Sequence, residues 1–192
     1  MNLFEKYLII INLIGFILYI INILLYKFTA DKGVDGLLTI ISIAGGAIGT
    51  LLAILIFDRK SVKDNMMSRV FVVCISVIQI VLYLFFKGEH GEQLTFAFGE
   101  YFDNHKLLII YLVIINFIAF AAFAIDKIRA IENRSRIRIL TLLGLAFIGG
   151  SLGSILAIYI LRHKTRVDYF TVGVPLIMLM QVVVTFYLMN MG

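Results

Sequence analysis

Tryptophan is absent from this sequence, and cysteine and proline occur once each, as Cys74 and Pro175. A lone cysteine closes no disulfide within the chain, so it carries little information about redox compartment. Cys74 lies inside an apolar run and reads as a small apolar filler in a helix. Charge is also scarce: Asp, Glu, Lys and Arg make up 15% of 192 residues, against 61% hydrophobic and a mean hydropathy of +1.02. Soluble domains average roughly 45–50% apolar residues, so an ordinary water-soluble domain is excluded. The centres of the apolar runs hold no ionisable residue, only Asn12, Asn22, Asn116, Gln79, Gln181 and hydroxyls. That argues against a pump built on an intramembrane carboxylate relay. No metal-ligand set, phosphate-cradling glycine loop or His-Asp-nucleophile set is visible, and no cofactor is expected.

The chain instead holds six apolar runs, about 7–26, 37–57, 70–86, 107–126, 139–161 and 172–189. Each is near the ~20 residues that span hydrocarbon as a helix. The expected fold is all-α, a polytopic protein of six transmembrane helices. The first run exceeds the ~7–15 residues of a signal core and lacks a small-x-small cleavage site, so it is expected to be retained. Residues 87–106 form the one long connection, with His90 and His105 among four acids. Their spacing lacks the helical register of a metal site. They read as a linker between residues 1–86 and 107–192.

The second half replays the first at an offset of 104 residues. Tyr7-Leu8 matches Tyr111-Leu112, Asn12 matches Asn116, Gly45, Gly46 and Gly49 match Gly149, Gly150 and Gly153, and Lys60 matches Lys164. Three spans per repeat is an odd number, which requires the second repeat to be inverted in the membrane. Gly45, Gly49 and Ala53, like Gly149, Gly153 and Ala157, put a small residue at every fourth position. That pattern lets helix backbones approach closely in lipid, and spans two and five are expected to cross through it.

With an inner N-terminus, ten Lys and Arg fall inside and seven outside. This favours cytoplasmic N- and C-termini. The net charge of +5 then reflects contact with anionic headgroups rather than nucleic acid.

The second half also carries Asn116, Asp126-Lys127, Ala130, Arg136, Leu142, Gly149, Gly150, Gly153, His163-Lys164-Thr165 and Phe170. On these residues, over roughly 112–175, it resembles the domain-of-unknown-function 1294 family of small bacterial membrane proteins. The resemblance implies a bacterial plasma-membrane scaffold and no settled reaction. The first half keeps the scaffold without the charged signature: Asn22 stands for Asp126, Ile23 for Lys127 and Arg59 for His163, while Lys60 persists.

Candidate substrate or headgroup contacts are Asp126, Lys127, Arg136, Arg59, Lys60, His163, Lys164 and Arg166. Asp126 needs a partner near hydrocarbon, and Arg129 at i+3 is available. From Arg138 to His163 is ~25 residues, or about 37 Å of straight helix, so the Asp126 and His163 groups are expected on opposite membrane faces. The leading expectation is a non-enzymatic protein that binds or transports a small anionic or lipid-derived substrate. A structural or accessory subunit, packing against membrane lipids, a partner or a second copy, is the alternative. An enzyme acting on lipid headgroups comes last.

Overall fold

The computed structural model describes residues 3–28, 35–58, 65–88 and 94–191. Arg59, Lys60 and His90 lie outside the described residues. The chain divides into two compact units, Met1–Tyr83 and Leu84–Gly192.

Unit one begins with α1 (Leu3–Phe28). It continues through α2 (Asp35–Ile41), a π-type turn (Ser42–Gly46), α3 (Ala47–Phe57) and α4 (Met66–Lys87), whose last residues belong to unit two. Unit two holds α5 (Phe98–Asn104), α6 (Lys106–Ile131), α7 (Ile139–Leu145), a second π-type turn (Ala146–Gly150) and α8 (Ser151–Ile160). The short α9 (Asp168–Thr171) and α10 (Gly173–Met189) complete it.

Six helical stretches are long and apolar enough to cross a membrane: Leu3–Phe28, Asp35–Phe57, Met66–Lys87, Lys106–Ile131, Ile139–Ile160 and Asp168–Met189. Large apolar side chains on them, such as Ile10, Ile110 and Phe117, are exposed, as lipid-facing residues must be. The protein is an all-α, multi-pass membrane protein.

The second and fifth stretches are not straight rods. Twenty-two residues of continuous helix would separate the ends of Ile139–Ile160 by about 33 Å. Yet Asp126 accepts a hydrogen bond from the Ile137 amide at 2.9 Å and meets His163 Nε2 at 3.0 Å. Both ends of the stretch therefore return to one residue. Between them the chain descends along α6 to Gly149, whose φ is +122°, and climbs back as α8 in parallel with α6. The side-chain contacts keep that parallel register: Tyr111 to Ile148, Asn116 to Gly153 and Asp126 to His163 are each 37 residues apart.

Unit one folds back in the same way at Gly45, φ +122°. Asp35 at the start of its hairpin meets Asn22 and Tyr26, while Asp58 at the exit meets Tyr19. Tyr7 to Ala44 and Asn12 to Gly49 repeat the spacing of 37. A positive φ in the middle of a helical stretch is a conformation that glycine adopts at little steric cost. That is why the reversal falls where it does.

Two expectations change. Each unit has a long helix, a re-entrant helical hairpin and a returning helix, so the odd count of crossings that required inversion no longer holds. The glycines expected at a crossing of spans two and five are spent inside each unit. A Cβ on Gly49 would lie 1.9 Å from the Asn12 carbonyl oxygen, and one on Gly153 would lie 2.0 Å from that of Asn116. The rising arm of each hairpin thus rides directly on the backbone of its own long helix. Gly150 is also tight, its Cβ position being 2.6 Å from Ala119 Cβ.

Candidate functional site

Breaking a helix inside hydrocarbon leaves terminal carbonyls and amides without intrahelical partners, and lipid offers none. In unit two, side chains supply them. Gln181 Nε2 donates to the Ala146 and Phe147 carbonyls at 2.8 and 2.9 Å. Tyr111 Oη donates to Ile148 O. Asn116 Nδ2 donates to Gly149 O at 2.9 Å, and its Oδ1 accepts the Gly153 amide at 2.7 Å. Gln181 Oε1 is in turn held by the Ser151 hydroxyl at 2.6 Å. Asn116, Gln181 and Tyr111 are therefore the caps of the broken helix.

At the open end of the hairpin sits Asp126, fully buried. An uncompensated carboxylate there would be costly. Its Oδ1 takes the Ile137 amide at 2.9 Å. Its Oδ2 takes His163 Nε2 at 3.0 Å and Lys164 Nζ at 2.7 Å. One side chain on α6 thus ties down both the segment that leads into α7 and the segment that follows α8.

The exit is shaped for this. Arg162 and Lys164 both have positive φ, 45° and 61°, a costly conformation for residues with a Cβ. The surrounding contacts hold them there. Lys164 Nζ also lies 4.6 Å from the centroid of the Phe170 ring, a cation–π distance, and Phe170 packs edge-on against Phe123 at 5.4 Å. Lys127 Nζ donates to Leu161 O at 2.7 Å, capping the end of α8 with a cation, as the helix dipole favours.

This overturns the expectation that Asp126 and His163 occupy opposite faces, which assumed a straight span. It also changes the partner expected for Asp126: Arg129 is exposed, and His163 and Lys164 take the place expected for it. Asp126, Lys127, His163 and Lys164 form one cluster. Arg136 and Arg166 are exposed outside it, on the two loops the cluster closes. Tyr111, Asn116 and Gln181 cap the break, a role the sequence pattern does not disclose, although the repeat marks Asn116 and Tyr111. Among the described residues, no three His, Cys, Asp or Glu side chains come together to hold a metal. The carboxylate of Asp126 is already taken by the Lys164 ammonium, the His163 ring and the Ile137 amide, so the cluster is a latch rather than an open anion pocket.

Comparison with known proteins falls on the same residues. The family described as "Protein of unknown function (DUF1294)" matches residues 116–170, from the Asn116 cap to the Phe170 ring under Lys164. Uncharacterized protein YsdA of Bacillus subtilis (strain 168) is 37% identical over 73 residues, 38% of this chain and 82% of that protein. No solved structure matches. With its matched stretch covering most of YsdA, the chain belongs to the DUF1294 family.

Proposed function

We propose that this protein binds, and in binding helps to move, a small anionic or lipid-derived ligand at the Asp126 end of unit two. The observation that carries the reading is the basic rim the latch assembles. Closing the hairpin puts residues 132–138 and 161–167 at one end, and Arg129, Arg136, Arg138, Arg162 and Arg166 are all exposed there. Lys127 and Lys164 are spent inside the cluster, on Leu161 O and Asp126, and Arg134 pairs with Glu132 at 3.1 Å. Guanidinium groups are the side chains best suited to phosphate oxygens. Re-entrant and discontinuous helices are also recurrent parts of transporters, which supports the transport form of the reading.

The same charges orient unit two. Eight Lys and Arg (127, 129, 134, 136, 138, 162, 164, 166) belong to the Asp126 end, against Lys87 and Lys106 at the other. By the positive-inside rule the Asp126 end faces the cytoplasm of a bacterial plasma membrane. The end of α10 then faces outward, which replaces the cytoplasmic C-terminus expected from straight spans.

The test is binding-linked stability, since a ligand bound only by the folded state raises the unfolding midpoint. The purified protein is compared in phosphatidylglycerol, in phosphatidylcholine, and in phosphatidylcholine with inorganic phosphate. A rise with phosphatidylglycerol alone identifies a headgroup, and a rise with phosphate identifies a free anion. Either rise should vanish in the double variant Arg136→Gln, Arg166→Gln. Equal midpoints under all three conditions would contradict the proposal.

A further inference from the structure

The two hairpins treat their polar groups differently, and unit one leaves some over. In unit one, Gln79 Nε2 donates to Ser42 O at 2.5 Å and is 3.4 Å from Ile43 O. This is the cap that Gln181 provides in unit two. The rest of the arrangement diverges. Ser151, whose hydroxyl holds Gln181 Oε1, corresponds to Ala47, which has nothing to offer Gln79 Oε1. Where unit one has Ser42, unit two has Ala146, and with Gln79 aligned on Gln181, an offset of 102 residues in this helix, Ser76 corresponds to Met178. Among the described residues, Ser42 Oγ, Ser76 Oγ and Gln79 Oε1 are buried without a hydrogen-bond partner. Both serines are 1% exposed.

One contact, from Gln79 Nε2 to the Ser42 carbonyl, links the two elements that carry these groups. Ser76 and Gln79 are three residues apart on α4, so they share one face of that helix. Gln79 carries that face to the carbonyl of Ser42. Ser42 lies in the last turn before the reversal at Gly45, at the carbonyl-bearing, negative end of the descending half-helix. Hydroxyl and amide oxygens left unpaired at membrane depth are costly, because lipid offers them no partner.

We propose that unit one binds a monovalent alkali cation where α4 meets the helix break, with Ser42 Oγ, Ser76 Oγ and Gln79 Oε1 as ligands. The ligand set is all oxygen, because the Gln79 amide nitrogen is turned away to the Ser42 and Ile43 carbonyls. It is neutral, with no carboxylate to attract a divalent ion, and the half-helix end disfavours an anion. Oxygens at a broken helix are the setting in which transporters hold sodium. In unit two the corresponding oxygens are replaced or paired, so the site is confined to unit one.

The experiment measures the unfolding midpoint of the full chain in sodium chloride, potassium chloride and choline chloride at equal ionic strength. The expected result is a saturable rise with sodium or potassium over choline. Ser42→Ala and Ser76→Ala should each abolish the rise while remaining folded in choline; if one fails to fold, the other carries the test. Ser151→Ala in unit two should leave the rise intact. Equal midpoints in the three salts, as expected if only water covers these oxygens, would overturn the proposal. So would a rise that persists in the folded serine variants. The arginines of the basic rim take no part in this readout, so failure of the anion reading leaves it unaffected.

Discussion

Both units close a helical hairpin against a long helix, but they distribute the closing charge in different ways. Unit two uses one buried acid on the long helix: Asp126 holds both the entrance, through Ile137, and the exit, through His163 and Lys164. Unit one uses two acids on the hairpin itself. Asp35 at the entrance accepts from Asn22 at 3.1 Å and Tyr26 at 2.6 Å. Asp58 at the exit accepts from Tyr19 at 2.9 Å and Asn65 at 3.1 Å, and pairs with Arg69 at 3.1 Å. Asn22 occupies the position that is Asp126 in unit two, so the donor and acceptor sides of the contact are exchanged. The same backbone is thus held by a single dry latch in one unit and by two wetter ones in the other.

This difference orders the expected effects of mutation. Asp126→Ala should cost most, about 3–5 kcal/mol, because the fully buried carboxylate holds three donors at once, among them a Lys164 ammonium that is only 14% exposed. In unit one, Asp58→Ala should cost less, about 1–3 kcal/mol, since its carboxyl is 26% exposed and Arg69 keeps its hydrogen bond to the residue-58 carbonyl. Chemical unfolding of both variants in the same detergent checks the ranking; equal losses would dissolve the contrast between the latches.

Gly49→Ala and Gly153→Ala probe what the units share. Each adds a methyl on top of a backbone carbonyl, so both should destabilise by at least ~1–3 kcal/mol. If only one is damaging, the close approach is not a common feature. Gln181→Leu should cost about 1–3 kcal/mol, because it strands two carbonyls and the Ser151 hydroxyl.

The smallest effect has the opposite sign. Ala47→Ser gives Gln79 Oε1 the partner that Ser151 gives Gln181. It should raise stability in choline chloride by ~0.5–1.5 kcal/mol and weaken any response to sodium or potassium. A loss of stability in choline would show that unit one cannot adopt the arrangement of unit two.

The sequence made the helices legible because lipid demands long apolar runs, and the structure's six stretches coincide with them. It also marked Asn12, Asn116 and the glycines, since polar and small residues recurring at one spacing in an apolar chain are conspicuous. It did not reveal the reversals. Gly45 and Gly149 sit inside runs of the right length for a crossing, and a glycine in such a run reads as a packing surface as readily as a turn. From that came the separation of Asp126 from His163, a distance computed along a rod that the chain does not form. Gln79 and Gln181 were visible as polar intruders, but their task exists only once the broken ends need caps.

The central claim is that Ile139–Ile160 enters and leaves at one end of unit two. It is tested most directly by side-specific labelling in sealed vesicles. With Cys74 replaced by alanine, single cysteines are placed at Arg136 and at Arg162 and exposed to a membrane-impermeant thiol reagent. Labelling of both from the same side is the result the re-entrant hairpin requires. Labelling from opposite sides would restore a straight fifth span, and with it the separation of Asp126 from His163.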